Sequence, residues 1–593
     1  MCYWLQTERE RAFRVDLILR IVRASAILIA AGALGAGLAN AAPSTAKAKA
    51  SPVTDDDGIS PRFSDYLAGR IAQLDRDWRS AAQLMRAAWE ADRGNVALRH
   101  DVLLLSVSGG DIAAAAAVAR TVTPESSDAQ FANLILLIDD LANARYAPAE
   151  ARLTTIPAQG IDRYMAPVLT AWAEVGQGHK TAATAAIAPL ENLDGAGEME
   201  QMQLAMIDEA LGDKAGAAAI YDRLVAGKLS PRVIRLAAHF YERTGAPDKA
   251  RAAIEKLDAD GVSASLRTEM LAHLTAKNNA SATPNPRSGA ADAMFDIAGS
   301  IQGREANSIA PLLYVQLALH LDPNFPEAQL LLSEIQQHAA RTVDAVATLE
   351  GVDPASDLRT TAVRAAMATL ARNNQLDDAI KLGHPVVEAH PEDIDLNLFY
   401  ADLLRQKLRF PEAVAVYDAV LPRIAATSSR RGVALFHRGM AYQQAHQWPK
   451  AEADLQAALM LRPDDPGLLN YLAFSWADQG VNLDRARTML ERAVQLSPDD
   501  GAIVDSLGWV MFQAGDYEDA VKQLEHAVEL DQDDATINDH LGDAYWRTGR
   551  QIEARSQWER ALRETEDKAL LEQIRGKLQN GLTQQPPRRA SLN

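Results

Sequence analysis

At 593 residues the chain is long enough for several domains, and its few aromatics (6%) and plentiful alanine suit tightly packed helices. A formal charge of −19 makes nucleic acid an unfavoured partner and points instead to basic or apolar protein surfaces. The single cysteine, Cys2, excludes an intrachain disulfide framework and any cysteine-built metal site within one chain.

The N-terminus reads as an export signal over residues 1–41. Arg9, Arg11, Arg14, Arg20 and Arg23 form a basic approach, residues 24–38 are uncharged and mostly apolar, and Ala39-Asn40-Ala41 fits a small-x-small cleavage site. The apolar run is shorter than the roughly 20 residues of a membrane span. The expectation is therefore a periplasmic or secreted protein, with membrane association only if the signal segment is kept as an anchor. No cysteine follows the apolar run, which leaves lipid attachment unsupported. Residues 42–60, rich in Ala, Lys, Ser, Thr and Asp, read as a disordered leader.

From residue 61 onward a ladder of alanines sets the pattern. Ala81, Ala115, Ala149, Ala183 and Ala217 stand 34 residues apart, and Ala250 follows at 33. Ala345, Ala379 and Ala413 resume the 34 spacing, and Ala451, Ala486, Ala520 and Ala554 follow at 38, 35, 34 and 34. A fixed period near 34 marks stacked helical hairpins. The unit is plainest near the C-terminal end. In it Gly439, Tyr442, Trp448, Ala451, Leu455 and Ala458 are followed by Pro463, and the pattern recurs around Gly508 and Gly542. A small residue in the first helix and the ladder alanine in the second allow the two helices to approach closely. Fourteen units are expected, keyed to Gly69, Leu103, Leu137, Ala171, Ala205, Ala238, Gly299, Ser333, Met367, Ala401, Gly439, Ala473, Gly508 and Gly542. Pro311 replaces the ladder alanine of one unit and suits the first turn of its helix. The phase breaks at KNNASATPNPRSGA, so a linker at 277–291 is expected to separate an N-terminal array (61–276) from a C-terminal array (292–566). Residues 567–580 read as a capping helix and 581–593 as a flexible tail.

This pattern resembles the tetratricopeptide repeat over about residues 61–566. The resemblance implies an all-α fold, a right-handed α-solenoid of about fourteen hairpins, and a concave face lined by one stripe of each first helix. In the last four units that stripe comprises Phe436, Met440 and Gln443; Asn470, Phe474 and Ala477; Asp505, Trp509 and Phe512; and Asp539, Asp543 and Trp546. It holds no lysine or arginine, unlike the family's carboxylate clamp for acidic peptide ends. The expected protein-binding groove is Asn470, Phe474, Asp505, Trp509, Phe512, Asp539, Asp543 and Trp546, with aromatics as anchors and acids pairing a ligand's amides or basic groups.

The strings around Asn470–Asp478, Asp505–Trp509 and 537–546 also resemble those of long-array bacterial lipoproteins that act as adaptors of carboxyl-terminal processing proteases in cell-wall turnover. That resemblance implies a processing protease and its substrates as partners. A component of an envelope assembly or polysaccharide export machine is the alternative. No HExxH, phosphate loop or nucleophile elbow occurs, and the histidines are scattered. With no stretch left for a catalytic domain, a repeat-fused enzyme is disfavoured, and no catalytic residue, metal, cofactor or bound small molecule is expected.

Overall fold

The computed structural model describes residues 61–582 apart from 158, 228–229, 258–263, 277–281 and 303–307. The expected signal peptide and leader, part of the linker and most of the tail thus lie outside the described residues. Among the described residues there are thirty α-helices and no strand. No helix among them is long and apolar enough to cross a membrane.

The helices pair as successive antiparallel hairpins, from Pro61–Leu74 with Trp78–Ala91 to Ala535–Arg547 with Gln551–Glu564. All thirteen ladder alanines are fully buried. Their partners show why they are small. A Cβ built on Gly508 would lie 2.6 Å from Leu524, and one on Gly542 would lie 2.5 Å from Trp558. Pro311 is buried in the first turn of Ala310–Leu321, where a missing N–H costs no helix hydrogen bond.

A second beat runs between the helices of the hairpins. Arg76, Gly110, Ala144, Gly178, Gly212, Gly245, Ala340, Asn374, Leu408, His446, Gly515 and Gly549 all have positive φ. The tight turn demands the left-handed conformation, and glycine supplies it at only some of the units.

The contacts divide the array into two compact units, one ending at Leu396 and the other beginning at Asn397. In the N-terminal unit the chain returns on itself. Helix Ala264–Ala276 follows the sixth hairpin, residues 282–285 are irregular, and a helix then starts at Pro286. Helices Pro286–Gln302 and Ala310–Leu321 pack against first helices of the preceding hairpins, chiefly Val96–Ser108, Ala129–Ala142 and Asp162–Gly176. The stripe expected to line the concave face is therefore covered here by the chain itself. Ile138, Leu141, Val168, Trp172, Val175, Met202 and Met206 on that stripe are all buried.

The closeness of the return is clearest at Gly289, where any side chain would run into the indole of Trp172. Trp172 Nε1 donates to Gln203 Oε1 (2.7 Å), and Gln203 Nε2 donates to Asp292 Oδ2 (2.7 Å). Buried Arg232 pairs with Asp292 and Asp296. Arg235 pairs with Glu327 and with Asp357 (2.8 Å), and His239 Nε2 lies 2.8 Å from Asp357. Burial pushes Asp292 up to about 7 against the pull of Arg232. Burial would also raise Asp357, but Arg235 and His239 outweigh it and hold that carboxyl well below its ordinary value.

The turn geometry sets an expected outcome. Leu408 is exposed with φ +62°, so Leu408→Gly should stabilise the C-terminal unit by about 1 kcal/mol. Gly549, at φ +85° with open space around a Cβ, should lose about the same on Gly549→Ala. Thermal unfolding of the two variants followed by circular dichroism checks both, and shifts of the same sign contradict the account.

Candidate protein-binding groove

The expected groove lies in the C-terminal unit, on the first helices Pro466–Asp478, Gly501–Ala514 and Ala535–Arg547. Each is started by an aspartate. Asp465 accepts from Leu468 N, Asp500 from Ile503 N, and Asp534 from Thr536 N and Ile537 N. These caps satisfy donors that a helix start leaves unpaired. They also fix where each helix begins, and so which residues share its inner stripe.

Of the eight expected residues, Phe474, Trp509 and Trp546 are half-buried, and Asn470, Asp505, Phe512, Asp539 and Asp543 are buried. Two clusters gather them. In the first, His540 is the centre. Its ring stacks on Trp509 at 4.0 Å, Trp509 stacks on Phe512 at 4.9 Å, and Phe474 stands 6.4 Å from His540. His540 Nδ1 lies 2.9 and 3.0 Å from the two carboxylate oxygens of Asp505. Burial opposes the imidazolium, but Asp505 outweighs it and holds the imidazole above its ordinary value.

In the second cluster the capping helix Lys568–Asn580 supplies the centre. Lys577 Nζ donates to Asp539 (2.7 Å) and to Asp543 (2.8 Å), while Trp558 Nε1 donates to Asp543 (2.9 Å). Trp546 lies 5.3 Å from Trp558 and closes over Gly581. Burial and the nearby Asp539 push Asp543 up to about 6, against the attraction of Lys577.

The sequence assigned the acids to a ligand; the structure gives Asp505 to His540 and Asp539 and Asp543 to Lys577. The reason is burial: a carboxylate placed between two stacked hairpins needs an internal counter-charge. His540 and Lys577 were not foreseen as partners. One signal was present for the histidine. His437 and His540 each stand two residues before a key glycine, and His437 pairs with Asp402 of the preceding hairpin at 2.8 Å, as His540 does with Asp505. Three side-chain atoms of the eight expected residues are buried without a hydrogen-bond partner: Asn470 Oδ1, Trp509 Nε1 and Asp539 Oδ1.

The Asp402 pair gives a pH signature. Burial would raise this carboxyl, but His437, Arg405 and the Tyr417 hydroxyl hold it at about 2. A carboxyl lowered from 3.8 contributes stability above that value and loses it as pH falls toward 2. Asp402→Asn should therefore cost about 2 kcal/mol at pH 7 and progressively less below pH ~4. Urea unfolding at a series of pH values checks this, and a penalty that is independent of pH contradicts it. Lys577→Met should cost about 3 kcal/mol by leaving two buried acids without their cation. Amide hydrogen exchange in 568–580 reports it, and unchanged protection there contradicts the docking.

Sequence comparison finds the family described as tetratricopeptide repeat at residues 368–429 and 436–501, and the one described as TPR repeat at 508–549. The TPR repeat-containing protein PA4667 of Pseudomonas aeruginosa is 34% identical over 86 residues, 14% of this chain, and the match spans 15% of that relative's length. Among solved structures, the APC/C hetero-tetramer Cut9–Hcn1 is similar over 88% of this chain and 97% of its own, at 16% identity and TM-score 0.37. YrrB, a TPR protein with an unusual peptide-binding site, is similar over 33% of this chain and 97% of its own, at 20% identity and TM-score 0.27. The buried small-residue ladder and the capped hairpins agree with these matches: the chain carries tetratricopeptide repeats at residues 368–429, 436–501 and 508–549.

Proposed function

We propose that this chain is a non-enzymatic protein-binding scaffold of the bacterial cell envelope, exported through residues 1–41. In this reading it works as an adaptor that presents partner proteins to a carboxyl-terminal processing protease in cell-wall turnover. The observation that carries protein binding is the aromatic cluster on the inner stripe, where Phe474 and Trp509 keep part of their rings accessible. The stripe acids are already paired internally. Anchoring rings without a free charge beside them suit an apolar or aromatic peptide segment rather than a charged terminus. The envelope setting rests on the signal-like N-terminus and on the hallmark strings at 470–478, 505–509 and 537–546, and the acidic charge suits a protein partner.

Affinity capture of the tagged chain from the envelope fraction of its host, with mass spectrometry, tests the proposal. The wild-type chain should recover a processing protease and wall-hydrolase substrates. The double variant Phe474→Ala/Trp509→Ala removes both accessible rings and leaves Asp505, Asp539 and Asp543 in place. It should recover these partners roughly tenfold less, on the scale of losing an anchoring contact. Equal recovery by a folded variant removes the groove from the account. Recovery of export-machine subunits in place of a protease replaces the adaptor role with the assembly role.

A further inference from the structure

The two ends of the array are finished differently. The C-terminal end is closed by Lys568–Asn580, whose Ile574 is fully buried against the last hairpin. At the other end, the first described helix keeps large apolar side chains exposed. On the first helix, Pro61–Leu74, Phe63 is 54% exposed, Leu67 43%, Ile71 60% and Leu74 82%. Their spacings of four, four and three place them on one face. The other large exposed hydrophobics of the described residues, such as Val343, Met460 and Ile552, are scattered over different helices and turns. Terminal repeats need a polar outer face if they are to stay solvated, and this one has an apolar ridge.

We infer that this ridge is a self-association surface, and that two copies of the chain pair through it about a two-fold axis. Three observations favour a second copy as the occupant. First, the expected leader next to the helix is poor in apolar side chains: residues 42–60 contain only Val53 and Ile59 as large ones, against the four of the ridge. Second, the ridge is self-complementary. An antiparallel partner centred near Gly69 sets Phe63 against Leu74 and Leu67 against Ile71. The neighbouring cation, Arg70, is already engaged by Asp101 (3.1 Å) and Gln73 (2.8 Å). Third, the C-terminal end is capped, so a head-to-tail contact has no apolar counterpart there. An isologous dimer that closes on itself is what remains.

The four side chains expose roughly 400 Å² per copy, about half of one side of a standard stable interface. The pairing is accordingly a weak one, with a dissociation constant on the order of 10–100 µM.

Sedimentation velocity of the purified chain from about 1 to 200 µM brackets that constant. The sedimentation coefficient should rise with concentration toward that of a dimer. Leu67→Asp/Ile71→Asp, at exposed positions, should keep the helical circular dichroism and stay monomeric throughout. A second measurement does not depend on those variants. In a Cys2→Ser background, Ile71→Cys should cross-link to dimer with a short bis-maleimide, whereas Val343→Cys, more exposed but off the ridge, should not. A wild-type chain that stays monomeric to 200 µM overturns the inference. So does a dimer that survives the double aspartate variant, or equal cross-linking at the two cysteine positions.

Discussion

Everything in this molecule depends on how closely two helices of a hairpin can approach. Thirteen alanines at the ladder positions are fully buried, and each occupies the place where a larger side chain would push its partner helix away. The partner positions obey the same limit. Gly439 meets Leu455 and Gly508 meets Leu524, while Gly542 meets Trp558, the bulkiest of the three. Close approach lets large side chains interlock around the small ones, so that Trp172, Trp476 and Trp558 are fully buried although aromatics are scarce. It also shortens the turn between the helices, which forces one residue there to positive φ even where the sequence supplies leucine or arginine.

Stacking by small residues leaves one stripe of each first helix uncovered by its neighbours. The N-terminal unit resolves this with its own chain. Where the stripe is apolar, at Ile138, Val168 and Trp172, helices Pro286–Gln302 and Ala310–Leu321 cover it. Where it becomes basic, at Arg235 and His239, it is met by Glu327 and Asp357. The covering segment is thus matched to the stripe in both polarity and charge, and the paired groups leave that face little with which to recognise anything else. A buried arginine between carboxylates is costly unless its geometry is satisfied on all sides, and here four side chains from beyond residue 277, Asp292, Asp296, Glu327 and Asp357, share the work for Arg232 and Arg235.

The period, the small residues and the closing helix were all legible in the sequence, because each is a contact between elements a fixed distance apart. Ala520 meets the first helix of its own hairpin wherever that hairpin sits. The return of residues 286–321 was not legible. Its contacts join Gln203 to Asp292, 89 residues away, and Arg232 to Asp296, 64 residues away, and no period connects such pairs. The same limit explains the groove. The stripe residues were found in phase, and Trp509, Phe512 and Phe474 do cluster, but their organiser, His540, lies on a different helical position in the next hairpin. Lys577 was hidden differently. The capping helix was recognised by its apolar side, and the cation it sends to Asp539 and Asp543 belongs to the side that periodicity treats as solvent.

That redistribution of charge changes what the C-terminal unit can recognise. With Asp505 held by His540 and Asp539 and Asp543 held by Lys577, the acids act as ties between hairpins. Breaking such a tie to reach a ligand would leave a buried ion unpaired, a larger loss than one exposed contact returns. What stays accessible is neutral: the half-exposed rings of Phe474 and Trp509. Contact through rings is little screened by salt, in contrast to a groove lined with free carboxylates. In the proposed reading the acidic charge of the chain steers encounters, while selection of a partner on this face falls to shape and to these rings.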